Sequence, residues 1–176
     1  MHPMKITKVE TVYDGFYKLR KLTLNNGQQE LVRERFEPGQ AVAALVYDTN
    51  TKEYIFVRQY RIGAESEVVE IPAGMLDKSG ESAEDALRRE IQEELGYEVD
   101  RLEHIVKMFP SPGGSAEQID VYYAEVSRQT GAGGGVVDEN ENITIVRLGW
   151  ETLLQTELRD AKSLLAVQWR QLQLSK

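Results

Sequence analysis

The sequence predicts a mixed α/β fold, an α+β or α/β sandwich in which helices pack against a mixed sheet. Several short runs rich in Val, Ile and aromatic residues alternate with turn sequences, which is typical of strands. One segment of good helix formers follows them, and a segment with an apolar stripe ends the chain. With 176 residues and 41% hydrophobic content, the chain can bury the core of one such domain.

The first element is an N-terminal antiparallel β-ribbon, which we expect over residues 1–38. Apolar and polar residues alternate from Ile6 to Phe36, and Asn25-Asn26-Gly27 is a strong hairpin signal. A projecting ribbon is only marginally stable alone, so pairing with a second copy of the chain would stabilise it. We therefore predict a dimerisation element at residues 1–38 and the main domain at residues 39–176.

The main domain is predicted to contain a series of strands and a closing helix. We expect the strands at residues 42–47, 54–60, 68–71, 99–108, 118–125 and 143–148. Asp160 can cap the final helix. Its apolar stripe is predicted to consist of Leu164, Leu165, Val167, Trp169 and Leu172.

Composition argues against several classes of function. The formal net charge of −8 does not suit a nucleic-acid partner, because such proteins displace counterions with basic surfaces. The chain has no cysteine, which excludes disulfides, thiolate metal sites and cysteine nucleophiles. No stretch is long enough to span a bilayer and no apolar leader follows Met1, so we expect a cytoplasmic protein without a membrane partner.

The segment between Ser82, a helix cap, and Gly96, a helix-ending glycine, is the most informative part of the chain. Its buried stripe is predicted to consist of Ala83, Leu87, Ile91 and Leu95. At about 100° per residue, Glu94 lies roughly 20° from Leu87, Glu90 roughly 60° and Glu93 roughly 120°. Acids on a helix usually face solvent, but acids beside an apolar stripe repel one another unless cations bind between them. Oxygen ligands of this kind favour Mg²⁺ or Mn²⁺.

Glu81, followed after seven residues by Arg89-Glu90-Ile91-Gln92-Glu93-Glu94-Leu95-Gly96-Tyr97, resembles the Nudix box, G-x5-E-x7-R-E-U-x-E-E-x-G-U. Six residues rather than five separate Gly74 from Glu81, so the loop 75–80 carries one extra residue. The resemblance implies a Nudix α/β/α sandwich and a metal-dependent pyrophosphohydrolase that forms a homodimer.

The resemblance also implies roles for individual residues of the box. The metal ligands would be Glu90, Glu93, Glu94 and the carbonyl of Ala73. Glu90 and Arg89 would belong to the catalytic group, with Arg89 paired to Glu81 so that the loop is braced against the helix. Gly74, Glu81 and Gly96 would be structural members of the motif.

Segments outside the box resemble the enzymes of this family that act on nucleoside diphosphate sugars. The turn Ser111-Pro112-Gly113-Gly114 with Glu117 and the segment Arg58-Gln59-Tyr60-Arg61 are similar to theirs. Substrate contacts would come from Arg58, Arg61, Gly113, Gly114 and Glu117. Two interpretations of Arg33 and Arg35 are open: surface charge on a strand, or contact with the terminal ribose or sugar across a subunit boundary.

A glycine-rich stretch, Gly131 to Gly135, precedes the acidic segment at residues 138–141. Most loops of this composition are flexible surface loops. The resemblance implies a mobile acidic loop that closes over the substrate, with Glu139 as general base and Glu141 as a further metal ligand. Glycines would permit that closure. The reverse assignment of the two glutamates is the alternative.

The predicted function is hydrolysis of the pyrophosphate of a nucleoside diphosphate sugar, giving a nucleoside monophosphate and a sugar phosphate. ADP-ribose is the first substrate, because Val69-Glu70-Ile71-Pro72-Ala73-Gly74 resembles the ADP-ribose group. GDP-mannose is the alternative, since residues 131–136 and 158–163 resemble the GDP-mannose enzymes. An alternative of another class is a non-catalytic sensor that binds a nucleotide sugar.

Overall fold

The computed structural model describes residues 3–135 and 143–175. The chain divides into two compact units. The first consists of Met1–Gln40 and Phe109–Gln118, and the second of Ala41–Met108 and Ile119–Lys176. The sequence-based division at residue 38 stays a prediction.

The first unit is built on a three-stranded antiparallel sheet. Its strands are β1 (Lys5–Asp14), β2 (Lys18–Asn25) and β3 (Glu30–Glu37), in that order. The hairpin between β2 and β3 turns where the sequence predicts it, with Gly27 at a φ of 86°. The side-chain oxygen of Asn26 accepts the N–H groups of Gln28 and Gln29 at 3.0 and 2.8 Å, which closes the turn.

Within the described residues, the second unit contains seven strands and three helices. They are β4 (Gln40–Asp48), β5 (Glu53–Arg61), β6 (Ser66–Glu70), β7 (Ala73–Met75), α1 (Ala83–Leu95), β8 (Tyr97–Met108), β9 (Gln118–Gln129), β10 (Thr144–Leu148), α2 (Trp150–Gln155) and α3 (Ala161–Leu174). The sheet has the order β10-β5-β4-β9-β8, with β6 paired to β5 and β7 paired to β4. None of the helices in the described part of the chain is long and apolar enough to cross a bilayer.

Strand β4 shows why the second unit is a sandwich. Val42, Ala44 and Val46 are buried in one core cluster together with residues of α1. The alternate residues Ala43 and Leu45 are buried in a second cluster that contains residues of α2 and α3. Because successive side chains of a strand point to opposite faces, helices cover both sides of the sheet. The predicted α/β/α architecture is confirmed.

The closing helix corrects one prediction. Asp160 caps α3 as expected, accepting the N–H of Ser163 at 3.0 Å. However, the predicted apolar stripe is wrong at Leu164 and Leu172, which are both exposed, whereas Ser163 is fully buried. The Ser163 hydroxyl accepts the N–H of Ile71 at 2.9 Å. Polar contact with the segment before β7 therefore determines which face of α3 is buried, and apolar content alone does not.

A buried polar cluster lies where α1 leads into β8. The Tyr97 hydroxyl donates to Asp48 at 2.9 Å and accepts from Arg147 at 2.9 Å. Asp48 also accepts the N–H groups of Asn50 and Thr51 at 2.9 and 3.2 Å. Burial by itself would raise the pKa of Asp48, but these hydrogen bonds and the Arg147 charge outweigh it, and the pKa lies below its ordinary value of 3.8. Asp48 is thus held as a carboxylate.

Asp48→Asn is expected to lower the free energy of unfolding at pH 7 by about 1–3 kcal/mol, because buried donors lose a charged acceptor. Since the folded-state pKa of Asp48 is lowered, its contribution is fully present above the ordinary value of 3.8 and is lost as the pH falls through the lowered pKa. Urea unfolding of both proteins across this pH range measures the difference. If the difference in unfolding free energy between the two proteins does not decrease at acidic pH, Asp48 is not a stabilising carboxylate.

Candidate active site

The helix α1 begins and ends where its capping residues predict. The Ser82 hydroxyl accepts the N–H of Asp85 at 3.1 Å, which satisfies a donor of the first turn. Gly96 has a left-handed backbone with a φ of 75°, and its N–H donates to Gln92 at 3.0 Å. The caps fix the helix register and therefore the angular positions of its acidic residues.

Three glutamates of α1 lie at graded depth. Glu94 is 3% exposed, whereas the side chains of Glu90 and Glu93 are 14% and 33% exposed. This is the order that the angular distance from the buried stripe predicts. The stripe itself contains Leu87, Ile91 and Leu95, while Ala83 is only partly buried. The carboxylates therefore extend from solvent into the edge of the core.

Arg89 supplies positive charge to this acidic group. Its guanidinium donates to both oxygens of Glu81, at 3.1 and 3.3 Å. It also donates to Glu90 at 2.7 Å and to Glu93 at 3.0 Å. The hydrogen bond with Glu81, followed by the charge of Glu90, raises the pKa of Arg89 far above its ordinary value. The extra residue in the loop 75–80 does not prevent the contact between Arg89 and Glu81.

Gly74 makes room for Glu90. Gly74 pairs with Val42 in the register of β7 and β4, next to Ala73. A Cβ atom on Gly74 would lie 1.9 Å from Cδ of Glu90, far inside contact distance. Only glycine therefore allows the Glu90 carboxylate to lie against this strand, beside the segment that contains the Ala73 carbonyl.

The donor set fits a hard divalent cation. All candidate ligands in the described residues are carboxylate or backbone oxygens, which suit Mg²⁺ or Mn²⁺. The recess at Gly74 brings one carboxylate against backbone. Within residues 3–135 and 143–175, no three His, Asp or Glu side chains converge closely enough to enclose an ion, and Arg89 contacts both Glu90 and Glu93. A cation at this site would compete with Arg89 for these two carboxylates.

The glycine-rich stretch reaches the C-terminal end of α1. The N–H of Gly134 donates to the carbonyl of Glu94 at 2.8 Å. A Cβ atom on Gly96 would lie 2.2 Å from the carbonyl oxygen of Gly131, so the two backbones are in close contact. The sequence analysis did not predict this contact. The available signal was the presence of glycine both at the end of α1 and in the stretch 131–135. Glu139 and Glu141 lie outside the described residues.

The structure does not bring Arg58 and Arg61 together. The two residues are three positions apart on β5, so their side chains point to opposite faces of the strand. Arg58 is exposed, and the Arg61 guanidinium donates to Glu70 at 2.5 Å.

Glu70 is a buried acid that sequence reasoning did not single out. It contacts Arg61 and Lys162, and Lys162 also contacts Asp160 at 2.9 Å. An acid within the apolar run Val68-Val69-Glu70-Ile71 was the available signal, because a buried carboxylate requires partners.

The other predicted substrate residues lie in the first unit. Arg35 donates to Glu37 at 2.9 Å, and Arg33 donates to the carbonyl of Val32 at 2.8 Å. The contact with Arg35 holds the pKa of Glu37 below its usual value.

The Ser-Pro-Gly-Gly turn pairs with the end of β3. The N–H of Phe36 donates to Gly114 at 2.9 Å, and the N–H of Ala116 donates to Phe36 at 2.8 Å. Gly113 and Gly114 have open space where a Cβ atom would lie, and the N–H of Glu117 donates to the Ser115 hydroxyl at 3.1 Å. The turn therefore lies beside the strand that carries Arg33 and Arg35.

Comparison with known proteins identifies the family of this chain. The family model described as NUDIX domain matches residues 37–169. The chain therefore belongs to the NUDIX domain family, and the prediction of a Nudix pyrophosphohydrolase is confirmed. A solved structure titled "Crystal structure of ADP compounds hydrolase" superimposes with a TM-score of 0.82 at 24% identity, covering 99% of this chain and 96% of that one. At that identity the superposition speaks for the fold alone.

Several curated relatives align over nearly the whole chain. ADP-ribose pyrophosphatase of Escherichia coli strain K12 is 37% identical, covering 96% of this chain and 88% of the relative. The methanol dehydrogenase activator of Bacillus methanolicus is 36% identical, with coverage of 96% and 93%. GDP-mannose pyrophosphatase of Escherichia coli O9:H4 strain HS is 31% identical, with coverage of 94% of each chain.

Gly74→Ala is expected to displace the Glu90 carboxylate and weaken its contact with Arg89. The clash should lower the free energy of unfolding by about 1–3 kcal/mol, the usual range for overpacking. Gly63→Ala is the matched control, because a Cβ atom there has no atom of the described residues within 4 Å and Gly63 is outside the left-handed region. If chemical denaturation finds equal stability for the two variants, the Glu90 carboxylate leaves the recess at no cost and its position there does not stabilise the fold.

Proposed function

We propose that this protein is a divalent-metal-dependent hydrolase of nucleoside diphosphate sugars, with ADP-ribose as its first substrate. The products would be a nucleoside monophosphate and a sugar phosphate. The observation that carries the proposal is the graded group of Glu94, Glu90 and Glu93 around Arg89 on one capped helix. Oxygen ligands for metal beside a guanidinium suit a reaction that depends on charge neutralisation and positioning.

The order of substrates follows from the relatives. The Escherichia coli K12 relative named for ADP-ribose is 37% identical, and the relative named for GDP-mannose is 31% identical. We therefore rank ADP-ribose first and GDP-mannose second.

We assign the metal site to Glu90, Glu93, Glu94 and the carbonyl of Ala73, with Glu141 as a further ligand. Mg²⁺ is the expected ion and Mn²⁺ the alternative. When bound, such an ion neutralises charge on phosphate oxygens and lowers the pKa of a coordinated water. Glu90 and Glu93 would turn from Arg89 toward the ion, while the two hydrogen bonds to Glu81 hold the guanidinium in place. Glu81 would thus be a partner for Arg89 both with and without bound metal.

The general base is proposed to be Glu139, with Glu141 as the alternative. A carboxylate is the appropriate group, because it must accept a proton from the attacking water within hydrogen-bond reach. If Glu141→Gln lowers kcat more than Glu139→Gln does, the two assignments are reversed.

Arginines are the proposed contacts for the charged substrate. Arg61 is held by the buried Glu70 yet remains 42% exposed, so its guanidinium has free edges for a phosphate. Arg58 is the second candidate for a phosphate contact. Arg33 and Arg35 are proposed to contact the terminal ribose or sugar across a subunit boundary. The turn at Gly113, Gly114 and Glu117 is proposed as a further substrate contact.

We propose that two copies of the chain associate through the N-terminal sheet. All ten residues of β1 are exposed, including the apolar Ile6, Val9 and Val12. Exposed apolar residues on an edge strand favour association with another chain. Light scattering should give twice the mass of one chain, and the mass of a single chain at micromolar concentration would contradict this assembly.

The substrate test is release of nucleoside monophosphate from ADP-ribose, GDP-mannose, ADP-glucose and UDP-glucose, with Mg²⁺ and with a chelator. We expect metal-dependent turnover that is fastest with ADP-ribose. If kcat/KM is higher for GDP-mannose than for ADP-ribose, GDP-mannose becomes the first-ranked substrate. Binding of a nucleotide sugar without turnover under any metal condition would instead support the non-catalytic sensor.

The metal assignment has its own control pair within this assay. Glu94→Gln keeps the size of the side chain but removes its charge, so kcat should fall below about a tenth of the wild-type value. Glu84→Gln makes the same change at an exposed position in the first turn of α1 and should leave kcat unchanged. Equal activity of the two variants would exclude Glu94 as a metal ligand.

A further inference from the structure

The segment 130–135 runs past the C-terminal end of α1 and contacts it through backbone atoms. The N–H groups of Thr130 and Gly131 both donate to the carbonyl of Gly96, at 2.7 and 3.0 Å. The Thr130 hydroxyl also donates to the side chain of Gln92 at 3.1 Å. The segment is thus fixed to the residue that ends the helix and to a side chain one turn earlier.

Two further hydrogen bonds reach the residues that carry the proposed metal ligands. The N–H of Gly134 donates to the carbonyl of Glu94 at 2.8 Å, and the N–H of Gly135 donates to the carbonyl of Glu93 at 3.3 Å. The last carbonyls of a helix have no partner within the helix itself. Here the segment 130–135 supplies partners for them.

Gly133 explains why the segment requires glycine. Its φ of 68° is in the left-handed region, and a Cβ atom there would lie 2.5 Å from the carbonyl oxygen of Glu94. The same Cβ atom would lie 2.7 Å from the carbonyl carbon of Leu95. These obstacles are backbone atoms of the helix, so no side-chain rotation relieves the clash. Gly133 therefore allows the backbone of the segment to approach α1 closely, in addition to adopting a left-handed φ.

The end of α1 is electrostatically unfavourable for its acidic residues. The C-terminus of a helix carries partial negative charge, which disfavours nearby carboxylates. Glu93 and Glu94 lie in this last turn, and the turn contains no basic residue. Backbone N–H groups aimed at the carbonyls offset part of that negative charge. The contact with residues 130–135 therefore stabilises the last turn of α1, which has no basic side chain of its own to do so.

We propose that residues 130–135 are a positioning element, here called the glycine clamp, which holds the last turn of α1 so that Glu93 and Glu94 can bind metal. The clamp acts through the helix backbone and contacts no substrate. This inference rests on the proposed metal-binding role of the two glutamates. It predicts that disturbing the clamp weakens metal binding even though no ligand is altered.

The test is the dissociation constant for Mn²⁺, measured from the electron paramagnetic resonance signal of the free ion. Gly133→Ala should raise this constant about tenfold or more, the usual effect of losing support around metal ligands. Gly131→Ala is the control within the clamp, because a Cβ atom there meets its nearest atom at 3.4 Å. Gly27→Ala is the control for backbone strain, since the φ of Gly27 is 86° and, in the part of the chain that the structure describes, no atom lies within 4 Å of a Cβ atom there. Both controls should stay within about twofold of wild type.

The outcomes separate the clamp from the metal site. If Gly133→Ala binds Mn²⁺ as wild type does, or if Gly27→Ala loses as much affinity, the clamp has no positioning role. If the wild type binds no Mn²⁺, or if Glu94→Gln binds it equally well, the proposed metal site itself is wrong.

A measurement on the wild type keeps the inference testable if Gly133→Ala does not fold. Coupling between two events is reciprocal, so metal binding should strengthen the clamp by the factor by which the clamp strengthens metal binding. Mg²⁺ should therefore slow hydrogen exchange at the amides of Gly134 and Gly135 about tenfold. Unchanged exchange at saturating Mg²⁺ would overturn the proposal.

Discussion

The rest of the site depends on the contact between the guanidinium of Arg89 and three carboxylates. It donates to Glu81, Glu90 and Glu93 within 3.3 Å. Without a cation these carboxylates would repel one another beside an apolar face, so either this guanidinium or a metal ion must balance them. The helix, its caps and the loop before it hold the four side chains within reach of one another. Arg89 offsets part of this negative charge, and we propose that a metal ion takes its place at Glu90 and Glu93.

Glycine sets the distances around this group at three places. At Gly74 the missing side chain admits a carboxylate, and at Gly96 and Gly133 it admits backbone from the glycine-rich segment. The obstacle at Gly96 and Gly133 is backbone, which cannot rotate out of the way. The two ends of the acidic face of α1 are thus both defined by close approach, one to β7 and the other to the segment 130–135.

Much of the second unit was predictable from local sequence. Ser82 and Gly96 set the ends of α1, and helical periodicity alone gave the order in which Glu94, Glu90 and Glu93 are buried. These features were predictable because caps and angular positions depend on neighbours within a few residues. The strands were predictable for a similar reason, since alternation of side chains and turn residues are local signals.

What the sequence did not predict depends on contacts between distant segments. The exposed Leu164 and Leu172 follow from the contact of Ser163 with Ile71, which lies 92 residues away. The clamp on α1 joins residues about 40 positions apart, with Thr130 and Gln92 separated by 38. Glycine-rich sequence is read as flexibility because the strict space requirement at Gly133 exists only in the folded chain. Burial of Glu70 with Lys162 was hidden for the same reason.

Anomalous diffraction from crystals of the protein grown with Mn²⁺ would show whether a metal ion replaces Arg89 at these carboxylates. We expect an anomalous peak bound by Glu90 and Glu94, with Arg89 still hydrogen-bonded to Glu81. A peak confined to other residues, or Arg89 still bound to both Glu90 and Glu93 at saturating Mn²⁺, would contradict the exchange of one cation for the other.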